Sequence, residues 1–185
     1  ATIGSLNISF YAEGAIYREF ANIIKEFKNV DKLTLKCMAN VYYLHDAQFL
    51  ELAQSCRELC LSHMRINRIT VDTLHRVYQN MSDGSIKLRR FETVEGRDMV
   101  QQFLGRIGIY SIALYFTSYR NVEAYRKVEN GETRYIIFDG NFEINFTRSN
   151  NGNDNFLLKL HENNESLEDA KGGFGLIPIR VERLP

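Results

Sequence analysis

The side chains best suited to chemistry are few and dispersed. His45, His63, His75 and His161 stand far apart, and none forms the spacing that sets two imidazoles one helical turn apart around zinc. Cys56 and Cys60 lie four residues apart, but Cys56 occupies an apolar position of a repeating pattern, where a thiol serves as a small buried hydrophobe. Gly172-Gly173-Phe174-Gly175 lacks the Lys-Ser/Thr that would follow in a phosphate-binding loop and reads as a turn. The carboxylates Glu162, Glu165, Glu168 and Asp169 could do acid–base work only in a shielded cleft, and their segment is too polar to build one. No catalytic residue, metal ligand or cofactor is expected, and the chain does not read as an enzyme.

Charge and composition narrow the remaining classes. The chain carries 23 basic and 23 acidic side chains, so no global field draws it to nucleic acid or anionic lipid. Locally, residues 57–134 hold 13 basic against 9 acidic residues, and residues 139–169 hold 2 against 7. The longest apolar stretch, Ile107 to Phe116, is broken by Gly108 and Ser111 and falls short of the roughly 20 residues that span a bilayer. Three cysteines, Cys37, Cys56 and Cys60, fit no disulfide framework and suit a reducing compartment, cytoplasmic or nuclear. Sequons at Asn7, Asn80, Asn145 and Asn164 carry little weight without a secretory signal. The opening Ala1-Thr2-Ile3-Gly4 reads as the start of an excised fragment.

The elements that position the side chains emerge from a repeat. Ile3-Gly4-Ser5-Leu6-Asn7-Ile8, Val30-Asp31-Lys32-Leu33-Thr34-Leu35, Cys56-Arg57-Glu58-Leu59-Cys60-Leu61 and Leu88-Arg89-Arg90-Phe91-Glu92-Thr93 share one order: apolar, two variable, apolar, one variable, apolar or Thr. Their central apolar residues, at 6, 33, 59 and 91, are spaced by 27, 26 and 32, close to leucine-rich units. Ile109 to Leu114 is a fifth match, open to being a terminal strand instead. Between the strands, Ile16, Phe20, Ile23, Ile24 and Phe27 share one helical face. Phe49, Leu50, Leu52 and Ala53 make a second crossover helix with Asp46 as N-cap, and Val71, Leu74, Val77 and Tyr78 a third behind Thr70. Alternating strands and helices predict parallel pairing, because parallel neighbours need connections of about a dozen residues.

Period-two geometry sends the residues between the apolar ones to the opposite, open face of the sheet. Asn7, Ser9, Thr34, Lys36, Cys60 and Ser62 therefore form the candidate binding surface, with Glu92 joining from the fourth strand.

From Glu123 the pattern becomes alternating. Asn130-Gly131 and Asp139-Gly140-Asn141 are turn signals around Tyr135-Ile136-Ile137-Phe138 and Phe142-Glu143-Ile144-Asn145-Phe146. Phe156 to Leu160 follows the polar run from Asn150 to Asn155, and Ile177 to Val181 suits an edge strand. The fold class is thus α/β: a short leucine-rich-repeat-like solenoid of strand–helix units over residues 1–116, continued by an antiparallel β meander over 117–185, in one compact domain.

One segment, Thr70-Val71-Asp72-Thr73-Leu74 through Asp83-Gly84-Ser85 to Leu88, Phe91 and Thr93, resembles the nematode F-box-associated family, type 2. Asp139-Gly140-Asn141-Phe142-Glu143-Ile144 is similar to that family's terminal portion, and Tyr78 stands near the place of its usual tryptophan. The resemblance spans about Leu59 to Leu160 and implies a substrate-recognition region whose upstream F-box would dock on an adaptor of a cullin-type ubiquitin ligase. The expected function is protein–protein interaction, with a protein partner and no membrane. The alternative is an RNA-binding or ribonucleoprotein assembly domain using Tyr135, Phe138, Phe142 and Phe146 with the basic residues of 57–134.

Overall fold

The computed structural model describes residues 3–10, 30–37, 44–64, 67–112, 115–118, 122–149, 154–163 and 177–183. The helix expected from Ile16 to Phe27, the Gly172–Gly175 turn and the carboxylates Glu165, Glu168 and Asp169 lie outside the described residues. The chain divides into two compact units, Ala1–Val94 and Glu95–Pro185. Both are built on strands, and helices are fewer, so the class is mixed α/β.

In the first unit, β1 (Ile3–Phe10), β2 (Val30–Cys37), β4 (Cys56–Met64) and β6 (Arg90–Gly96) pair in that order, all parallel. The register places Leu6 beside Leu33, Leu33 beside Leu59 and Leu59 beside Phe91. These are the central residues of the sequence repeat, aligned because each must bury the same face. Val30, Leu33, Leu35, Cys56, Leu59, Leu61 and Phe91 are all buried. Among the described residues two helices add to this core: α1 (Asp46–Ser55) contributes Phe49, Leu52 and Ala53, and α2 (Val71–Ser82) contributes Leu74, Val77, Tyr78 and Met81. The rings of Phe49 and Phe91 meet at 5.1 Å.

The helix starts are tied together. A two-residue parallel bridge joins β3 (Leu44–His45) to β5 (Asn67–Arg68), directly ahead of the helices. Thr70 caps α2 by accepting the Thr73 N–H, as its hydroxyl and position suggest. The expected cap of α1 shifts by one residue: His45 is the N-cap, its N–H donating to Gln48 Oε1 at 3.0 Å, and Asp46 is the first helical residue. Asp46 instead turns its carboxylate to Thr70. After α2, Gly84 takes a positive φ of 77°, which lets Asp83 accept the Ser85 N–H at 2.8 Å and close the turn into β6.

The second unit begins with α3 (Arg97–Arg106), a helix the repeat-based reading passes over, which buries Val100, Phe103 and Leu104. Its N-cap is Gly96, so the usual polar start signal is missing. The Ile109 segment is not a further parallel repeat: β7 (Ile109–Ile112) pairs antiparallel with β8 (Tyr115–Ser118). Next come β9 (Glu123–Glu129), β10 (Glu132–Asp139), β11 (Phe142–Ser149) and β12 (Asn155–Glu162), an antiparallel meander. Asn130 and Gly131 both have positive φ, 49° and 75°, the geometry a two-residue hairpin demands. The tail adds β13 (Ile177–Ile179), antiparallel on β9, and β14 (Val181–Arg183), parallel on β8. Tyr135 and Phe146 stack with centroids 4.9 Å apart, and Phe116 meets both edge-on.

Candidate functional site

The face of the parallel strands opposite the buried leucines is organised by register. On β2, burial of Leu33 and Leu35 directs Lys32, Thr34 and Lys36 outward, and on β4, burial of Leu59 and Leu61 directs Glu58, Cys60 and Ser62 the same way. Parallel pairing lines these side chains up in rows across the strands. One row reads Ser5, Lys32, Glu58, Arg90; the next reads Asn7, Thr34, Cys60, Glu92; the third reads Ser9, Lys36, His63. All of these but Ser9 line an open cleft of about 360 Å³.

A β-bulge shapes its far end. Between Thr34 and Lys36 β2 advances two residues, while β4 advances three, from Cys60 to His63. Ser62 and His63 thus both fall between the buried Leu61 and Met64, and His63 enters the lining opposite Lys36. Of the residues expected from sequence, Asn7, Thr34, Lys36, Cys60 and Glu92 line the cleft. Ser9 is exposed on the same face beside Lys36, and Ser62 is half-buried; both lie outside the lining. Ser5, Lys32, Glu58, Arg90 and His63 line it as well. The first four follow from extending the same period-two alternation one step back along each strand. His63 depends on the bulge, for which the sequence carries no signal.

The floor is the middle row. Thr34 is only 6% exposed, and Cys60 and Ser62 are half-buried beside Glu92. Glu92 Oε2 accepts from the Cys60 thiol and the Ser62 hydroxyl, each at 3.5 Å, and the thiol and hydroxyl lie 3.2 Å apart. In the outer rows, Lys32, Lys36, Arg90 and His63 form no ion pair among the described residues. Cys56 belongs to the opposite face: it is fully buried, its thiol donates to Leu52 O at 3.3 Å, and burial pushes its pKa up to about 12.

In the second unit a smaller polar cluster lies on β11 and β12. Asn145 Nδ2 donates to Glu143 Oε1 at 2.7 Å and meets His161 Nε2 at 3.0 Å, while Asn145 Oδ1 has no hydrogen-bond partner among the described residues. The rings considered for base stacking, Tyr135, Phe138, Phe142 and Phe146, are all buried, so none presents a free face to a nucleobase.

Among the described residues no group of three or more His, Cys, Asp and Glu is placed to hold a metal ion, and no helix is long and apolar enough to cross a membrane. Comparison with protein-family models, with curated proteins and with solved structures finds no match.

Proposed function

We propose that this chain is a protein-interaction module that receives its partner on the open face of the parallel strands. The observation that carries the reading is the cleft itself, where rows of small polar and charged side chains converge and several cations lack an ion-pair partner among the described residues. Taking a cation out of water requires an opposing charge, so a surface holding several in one concavity favours a polar partner over a lipid or apolar ligand.

The leucine-rich-repeat-like reading of residues 1–116 and the F-box-associated reading belong to this proposal. Their support is the repeat pattern and the register that places Leu6, Leu33, Leu59 and Phe91 side by side. In that reading the face holds a protein destined for ubiquitin transfer inside the cell, and the transfer chemistry resides in other subunits. The test is affinity capture from source-cell lysate with the wild-type chain and with a Thr34→Glu, Lys36→Glu, Ser62→Arg variant, both first shown to fold by circular dichroism. Loss of a discrete protein partner in the variant is expected. An unchanged set of partners would overturn the assignment to this face.

A further inference from the structure

We infer, building on the proposed function, that the cleft takes an extended acidic segment of a partner protein, with two carboxylate side chains four residues apart. Charge is unevenly distributed over the rows. In the first row Glu58 lies between Lys32 and Arg90, so two cations face one carboxylate and one positive charge is left over. In the third row Lys36 lies beside His63 with no carboxylate in register. The middle row holds no cation, and its single charge, Glu92, already accepts from Cys60 and Ser62. Positive charge is therefore concentrated at the two ends of the cleft, with a floor of small side chains between them.

Spacing then selects the occupant. Lys32 and Lys36 are on one strand, four residues apart, a separation of about 13 Å in extended chain. A second extended chain laid along β2 presents side chains i, i+2 and i+4 to the same face with the same repeat. Acids at i and i+4 meet the two cationic rows, and the side chain at i+2 comes to rest over Thr34 and Cys60. The neighbouring Glu92 favours there a short side chain that donates a hydrogen bond, such as Ser, Thr or Asn. A nucleic-acid strand would instead run continuous negative charge past Glu58 and Glu92.

The inference is tested by selecting a displayed library of random peptides, about a dozen residues long to span the strand, on the full chain. Enrichment of Asp or Glu at two positions four apart, with a short polar residue midway, is expected. A synthetic peptide of that sequence should bind a Lys32→Glu, Lys36→Glu variant about tenfold more weakly. Exchanging both peptide acids for Lys should restore binding to the variant, whose fold is checked by thermal melting. Enrichment of other patterns, no enrichment, or equal binding of the acidic peptide to both proteins would overturn the acidic-segment inference. Lysate capture run alongside separates the two readings: a partner lost in the Thr34→Glu, Lys36→Glu, Ser62→Arg variant without acidic spacing in the library sinks this inference alone, and a partner retained sinks the face assignment with it.

Discussion

Asp46 and Thr70 are 24 residues apart, yet one carboxylate on the first turn of α1 accepts both the backbone N–H and the hydroxyl of the residue that caps α2, each at 2.8 Å. The hydroxyl spends its proton on Asp46 and keeps a lone pair for the Thr73 N–H at 3.3 Å. A single negative charge thus serves the positive ends of two helices.

Asp46→Ala and Thr70→Ala should each cost about 1 to 2 kcal/mol, from a lost charge-assisted hydrogen bond or a lost cap. Because the two residues share the interaction, the double variant should cost clearly less than the sum. Urea denaturation of the two single variants and the double variant measures this directly. Additive losses would show that the carboxylate and the cap act independently.

Cys56 provides a pH prediction with a defined sign. Burial pushes its thiol from an ordinary value of 9.0 up to about 12, so between those limits the unfolded chain releases a proton that the folded chain retains. The contribution is intact below pH 9 and is lost as pH rises toward 12, at about 1.4 kcal/mol per pH unit within the window. A Cys56→Ala variant has no thiol to titrate, so its stability deficit against wild type should shrink once the pH exceeds 9. With a thiol reagent the half-buried Cys60 should react in the folded protein, while Cys56 stays protected until denaturant is added. Equal labelling of both would contradict the burial.

Much of the first unit was legible because its pattern and its packing obey the same period. Leu33, Leu59 and Phe91 could be aligned in sequence and do pair in register, since a parallel strand that slipped by one residue would turn its leucine into solvent. The same alternation exposed Thr34, Lys36 and Cys60 as one surface. His63 could not be reached that way, because a bulge is one extra residue that the partner strand defines and the local sequence does not. α3 escaped for a different reason. Its apolar residues Val100, Phe103 and Leu104 have helical spacing, but a start at Gly96 offers no side-chain cap to mark it.

Gly96 and Gly131 should respond in opposite directions to gaining a side chain. Gly96 has an ordinary φ of −69°, and a Cβ there meets no atom within 4 Å. Gly96→Ser or Gly96→Asp supplies the missing cap of α3 and restricts the unfolded chain, stabilising by about 0.5 to 1 kcal/mol. Gly131 has equally open surroundings but a φ of 75°, so Gly131→Ala meets backbone strain alone and should cost about 1 kcal/mol. Thermal melting of the two variants should show a raised midpoint for the first and a lowered one for the second. A fall in both would mean that the Gly96 N-cap geometry does not hold in solution.

His161 should exist as the tautomer that carries its proton on Nδ1. Glu143 Oε1 lies 2.7 Å from Asn145 Nδ2, and a carboxylate must face the amide nitrogen because the amide oxygen would repel it. That same nitrogen lies 3.0 Å from His161 Nε2, which must therefore accept, leaving Nδ1–H to donate to the Glu162 carbonyl at 3.2 Å. Two-bond nitrogen–proton correlation spectra of the ring distinguish the forms, and a proton found on Nε2 would require the Asn145 amide to be turned. Asn145→Asp tests the same geometry by stability. It sets a second carboxylate against the half-buried Glu143 and removes the donor that satisfies it, a change that should cost about 3 kcal/mol in urea denaturation against wild type. A variant as stable as wild type would mean that the two side chains do not face each other.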